Sequence, residues 1–366
     1  MKRHTQSQQE GREEPVHKDG AVVLEETEGL FHSLQEDDLQ QRSEAWVLLV
    51  LMRAAGRRDV DYAGVMATSG WAGQFVYNPK PDWPSFVPPG RTVEKACAAY
   101  GFEVVTLTPD SIEEAFEFIR ESVDAGRAVQ ANYYEDGIFS GYAEASESDE
   151  RRVRFLSIPF AADGEWWTMQ ELREKWWDGQ FVKILFRLGR ATEPKEPREN
   201  ALDVMKDLVR LAATDYWQNA QAPGALTGFT ALERYAEDIA DVIKTMQDNR
   251  ETNKETCFFD RGWGCYAVYP QWTARECSAR SLERAVQLFD EPVASRVGEA
   301  SRHYHMAYAH WRDWGQQLGR VTEPGSYDEH WADPARRAAG SAAVRQAVAS
   351  ERSAIAAVQE ALALLD

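Results

Sequence analysis

Between Ala191 and Asn200 the chain changes character, and that change limits what it can fold into. Two Pro and a run of alternating charges occupy the stretch. Before it, apolar residues recur at both strand and helix spacing. After it, nearly all recur at three and four, as in helices that pack by one face. One core does not serve both patterns over 366 residues, because single domains seldom exceed about 200 residues. The expected organisation is a polar tail over 1–23, an α+β domain over 24–190, a linker over 191–199 and an all-α helical domain over 200–366.

In the first half, Leu39, Ala45, Trp46, Leu48, Leu49 and Met52 form a helical stripe, and Gly56 ends it as a C-cap. Tyr62 to Met66 reads as a short helix with a turn at Ser69-Gly70. Asn78 to Gly90 is rich in Pro and reads as a loop. A helix over Val93 to Tyr100 leads into a strand over Phe102 to Thr106. Pro109-Asp110-Ser111 opens an amphipathic helix that Gly126 closes. Strands follow at Ala128 to Tyr133, Gly137 to Tyr142 and Val153 to Ile158, with the acidic Glu144 to Glu150 as a hairpin turn. Trp167 to Trp177 reads as a helix and Phe181 to Leu188 as a last strand. Beyond residue 200, long helices fit 266–289, 293–318 and 334–365.

Lys plus Arg total 41 and Asp plus Glu total 60, a formal charge of −19. Such a balance argues against nucleic acid and against an anionic membrane surface as partners. Met1 to Gly20 has no apolar core of a signal peptide, and the longest apolar run, Ala45 to Met52, is too short to span a bilayer. Four Cys, at 97, 257, 265 and 277, make neither a disulfide framework nor a zinc spacing. We therefore expect a cytoplasmic protein with no cofactor and no bound metal. Arg greatly outnumbers Lys, which fits a GC-rich bacterial source.

Several segments, in order, resemble a papain-like cysteine peptidase domain. They are Ser43 to Gly56, Asp61 to Gly70, Glu114 to Val129, "GIFSGY" (137–142) and "WTMQELREKWWDGQFVKIL" (167–185). The similarity is to the bacterial leader-peptidase type and to the N-terminal domain of butirosin biosynthesis protein H, with a helical C-terminal extension. It implies a fold in which a nucleophile helix, here starting at Ser43, meets a sheet that carries the base. The family Cys falls on Ser43, and the family His falls on Glu135 or Asp136. The orienting acid falls near Ser157 or Ile158, and the oxyanion Gln near Asp37, with Gln35 and Gln40 beside it. No His occurs between residues 33 and 302, so these positions lack the imidazole that activates such a thiol.

The expected function is therefore that of a catalytically degenerate relative. It would bind a small molecule, a peptide or a carrier-linked acyl group between its domains. Gln35, Asp37, Ser69, Trp71, Tyr77 and Trp83 are the candidate ligand contacts. Helix N–H groups near Ser43 would favour an anion or a carbonyl oxygen. Three alternatives stand beside it. Resemblance to butirosin biosynthesis protein H implies acyl or aminoacyl transfer, with Ser43 as acceptor and Glu135 or Asp136 as base. "DRGWGCY" (260–266) is similar to the nucleophile motif of autophagy-type cysteine proteases, which would pair Cys265 with His330 as a thiol hydrolase. The helical half would otherwise be the interface of a homo-oligomeric scaffold. Glu299, His303, His305 and His310 share one predicted helix, more readily as interface residues than as metal ligands.

Overall fold

The structure is a computed structural model. It describes residues 13–18, 20–34, 43–77, 92–133, 136–145, 150–157, 161–179, 183–215, 226–240, 263–318 and 333–365. It is a mixed α/β chain with an antiparallel sheet and a C-terminal helical region. In chain order come β1 (Val16–Lys18), β2 (Ala21–Val23), α1 (Glu25–Ser33), α2 (Ser43–Ala54), α3 (Tyr62–Ser69), β3 (Val76–Tyr77), α4 (Thr92–Ala99) and β4 (Phe102–Leu107). Then follow α5 (Ile112–Asp124), β5 (Val129–Ala131), β6 (Gly137–Ala143), β7 (Arg152–Ser157), β8 (Ala161–Thr168), α6 (Met169–Leu172) and β9 (Leu185–Ala191). The rest is α7 (Pro197–Ala212), β10 (Leu226–Thr227), α8 (Gly228–Ala240), α9 (Trp263–Ala285), α10 (Val293–Leu318) and α11 (Pro334–Ala363). No helix among the described residues is long and apolar enough to cross a membrane.

The chain divides into two compact units. One takes Met1–Val65 and Val93–Lys195, the other Met66–Thr92 and Glu196–Asp366. The second unit thus includes a segment, 66–92, that the sequence reading assigns to the first domain. The reason is a set of long-range aromatic contacts. Phe75 and Tyr77 pack on Tyr235, and β3 pairs with β10.

In the first unit the strands run β1-β2-β6-β5-β9-β4, with β7 on the other edge of β6 and β8 beyond it. Strand β6 is buried along its whole length because β2, β5 and β7 all pair with it. Helix α2 packs on α1, β6 and β9. Its residues Ala45 to Met52 are all buried, as expected of a helix that is apolar all round. It ends in a Schellman motif. Gly56 lies at φ 89°, its N–H donates to Arg53 O, and the Arg57 N–H donates to Met52 O. Helix α5 opens where the sequence signals it: Ser111 Oγ accepts from the Glu114 N–H at 3.1 Å.

Two local expectations are corrected. Glu13 and β2 are not part of a solvated tail. Glu13 accepts from the Glu26 N–H at 2.6 Å and from Thr27 Oγ1 at 2.6 Å, so it caps α1 from outside, and β2 joins the sheet. Burial pushes the Glu13 carboxyl above its ordinary range despite those bonds. Trp167 is not helical either. It lies in β8, paired with Val153, and the helix starts only after Thr168. There Thr168 Oγ1 accepts from the Glu171 N–H, and Glu171 accepts from the Thr168 N–H, a capping box that fixes the boundary. The Thr168 N–H holds the Glu171 carboxyl below the ordinary range.

The second unit is built on α8, α10 and α11. Its core contains Phe75, Tyr77, Leu232, Tyr235, Ile239, Trp311, Trp314 and Val344. The Ala-rich seam of α11 is buried from Gly340 through Ala361 at intervals of three and four, which lets α10 lie close against it.

Candidate functional site

The site is assembled at the N-terminal end of α2. Ser43 is the first residue of that helix. Across from it, the β5–β6 hairpin brings Asp136 to the position just before β6. The Asp136 N–H donates to Ser43 Oγ at 3.2 Å, joining residues 93 apart in sequence. Asp136 is 6% exposed. Its Oδ1 accepts from Gln130 Nε2 at 3.3 Å, and Gln130, in the middle of β5, is itself 4% exposed. In this orientation Gln130 Oε1 is buried with no hydrogen-bond partner among the described residues.

The surrounding backbone is tightly held. Gly137 follows Asp136, and a Cβ there would meet Leu156 O and the Phe155 ring, so β7 approaches too closely for any side chain. Ser157, the position expected for the orienting residue, pairs in register with Gly137 and is fully buried. Trp176 is fully buried and donates its indole N–H to Asn132 O at 2.9 Å, which pins the hairpin arm that carries Asp136.

The sequence candidates are distributed as follows. Ser43 and Asp136 come together. Ser69, Trp71 and Tyr77 belong to the second unit and are buried there. Ser69 Oγ donates to Met66 O and accepts from the Trp71 N–H, which shapes the turn at Gly70. Tyr77 donates to Asp238 Oδ2 at 2.6 Å, and burial with that carboxylate pushes its phenol upward. Gln35, Asp37, Gln40, Trp83, Glu135, Ile158, His330 and the Cys265 side chain lie outside the described residues.

On α10, His305 Nδ1 lies 3.1 Å from Glu276 Oε2, and Glu299 is paired with Arg296. Among the described residues no three His, Cys, Asp or Glu side chains form a metal-ligand group. A separate pocket lies at the other end of α2, between Leu51, Ala55, Phe102, Ala128 and Leu188. None of Ser43, Gln130 or Asp136 lines it.

Gln130 is the residue that sequence reasoning missed. Its signal is a lone amide in an otherwise apolar strand, Ala128 to Ala131, buried on both faces. No protein-family model matches the sequence, and no curated protein matches it either.

Proposed function

We propose that the first unit is a papain-like fold kept as a binding unit. Ser43 and Asp136 stand where such a fold has its thiol and imidazole. The ligand, a small molecule, a peptide or a carrier-linked acyl group, is held without covalent chemistry. The observation that carries this reading is the direction of the Ser43 hydrogen bond. The hydroxyl oxygen accepts the Asp136 N–H. A bond donated to that oxygen draws on its lone pairs and makes it a poorer nucleophile.

Two further observations support it. Cys97 is the unit's only cysteine; it is fully buried, and burial pushes its thiol far above the range of a reactive cysteine. The unit's described histidines, His17 in β1 and His32 in α1, are exposed.

Incubation of the full chain with a simple acetyl thioester tests the absence of chemistry. The intact mass is expected to stay unchanged. An acetyl adduct on Ser43 that is lost in Ser43→Ala would overturn the reading in favour of acyl transfer.

A further inference from the structure

We infer that the segment ahead of α1 is a strap that regulates order at the Ser43 site, with Glu13 as its latch; on the binding reading above, that order sets how firmly a ligand is held. Helix α1 does not cap itself. Its N-cap position is Leu24, whose side chain has no acceptor to offer. Glu13 supplies the acceptors instead. It takes the Glu26 N–H at 2.6 Å, the Thr27 N–H at 3.0 Å and the Thr27 hydroxyl at 2.6 Å. Glu13 is 9% exposed and Thr27 is 1% exposed, so these bonds are not readily exchanged for bonds to water. The latch is fitted from the other side too. Gly126 lies at φ 71° against the Glu13 backbone, where a Cβ would collide with Glu13 O.

Helix α1 touches both elements that meet at the site. Phe31, fully buried, packs edge-on against Trp46 in the first turn of α2, with ring centroids 4.3 Å apart. Glu28 accepts from Ser140 Oγ of β6 at 2.6 Å and pairs with Arg154 of β7. Ser43 is the first residue of α2 and Asp136 stands just before β6, so the bond from the Asp136 N–H to Ser43 Oγ joins the same two elements. With nine residues, α1 is too short to hold its shape without tertiary support, and its turns form or fray together. Release of Glu13 therefore loosens the packing at Trp46 and the bond at Ser140, and with them the seat of Ser43 and Asp136.

Native-state hydrogen exchange, read by NMR on the full chain without added ligand, tests the strap. Glu13→Ala removes the latch. Thr27→Val is the milder variant, which removes one of the three bonds and keeps the volume. The reporters are the Glu26 and Thr27 amides at the latch, and the Trp46 indole N–H and Asp136 amide at the site. The Trp46 indole N–H is buried with no acceptor among the described residues, so packing alone protects it. The β4–β9 pair, at the far edge of the sheet, is the reference. In Glu13→Ala all four reporters are expected to exchange about tenfold faster relative to that reference, the usual size for a lost cap. Thr27→Val should show the same pattern at about threefold, and it decides the matter where Glu13→Ala fails to fold. Faster exchange confined to Glu26 and Thr27 would overturn the inference, because Glu13 would then cap α1 without acting on the site. An equal rise at the β4–β9 pair would overturn it too, as the mark of a general loss of stability. Neither result touches the binding reading, which the presence or absence of a bound ligand decides.

Discussion

Glu351→Ala is expected to cost the second unit about 3–5 kcal/mol, the usual penalty for stranding one partner of a buried ion pair. Arg275 and Glu351 are 1% and 6% exposed, and their contacts at 2.8 and 2.7 Å are bidentate. Trp311 Nε1 also donates to Glu351 Oε1 at 3.0 Å, and the guanidinium lies 5.9 Å from the Trp311 ring centroid. Gln271 Oε1 and Gln74 O take further Arg275 protons. Removing the carboxylate leaves a buried guanidinium without its counter-charge and an indole N–H without an acceptor. Against a typical total stability of about 5–15 kcal/mol, that loss is large. The double change Arg275→Met with Glu351→Leu should recover the part of it that comes from the stranded charge, since apolar replacement of a whole buried pair is often neutral, while the Trp311 N–H stays without its acceptor. Urea melts followed by tryptophan fluorescence measure both. A single-variant cost below about 1 kcal/mol would place this pair with exposed ones and contradict the account of this core.

Trp176→Ala should be as damaging to the first unit, at about 3–5 kcal/mol, as for other buried aromatic truncations. The ring is fully buried and meets Phe139 edge-on at 6.4 Å between centroids. Its second role makes the more informative variant Trp176→Phe. That change keeps most of the bulk and removes the donor to Asn132 O, at a cost of about 1 kcal/mol. Asn132 lies on the arm between Gln130 and Asp136, so loss of this tether should also loosen the Ser43–Asp136 contact. Amide hydrogen exchange at Asp136 should therefore rise in Trp176→Phe by more than the global stability change accounts for. Equal protection at Asp136 in both proteins would show that the tether does not position the site.

Much of this was legible in the sequence, where the deciding forces are local. Helix α2 is an apolar run that only a buried helix accommodates, and Gly56 supplies the positive φ its ending needs. The Ser111 cap and the long helices past residue 200 follow from short-range patterns of the same kind. What was not legible depends on distant partners. Strand β8 alternates weakly, and it is a strand because it pairs with β7. Residues 66–77 look like part of the first domain until Tyr235 and Trp311 claim Phe75. Glu13 reads as tail because nothing nearby in sequence shows that it caps α1. The resemblance expects Ser43 to face Glu135 or Asp136, and in the structure the Asp136 N–H donates to Ser43 Oγ. Gln130 carried no such mark, because its role appears only once β5 lies beside β6.

The most direct test of a binding site at Ser43, Asp136 and Gln130 is native mass spectrometry of the full chain as purified, beside Ser43→Trp, which fills the site. The account predicts a small-molecule adduct on the unmodified protein that leaves on gentle activation and is absent from the variant. An adduct equally present in Ser43→Trp, or one that survives denaturation as a covalent mass on Ser43, would contradict it.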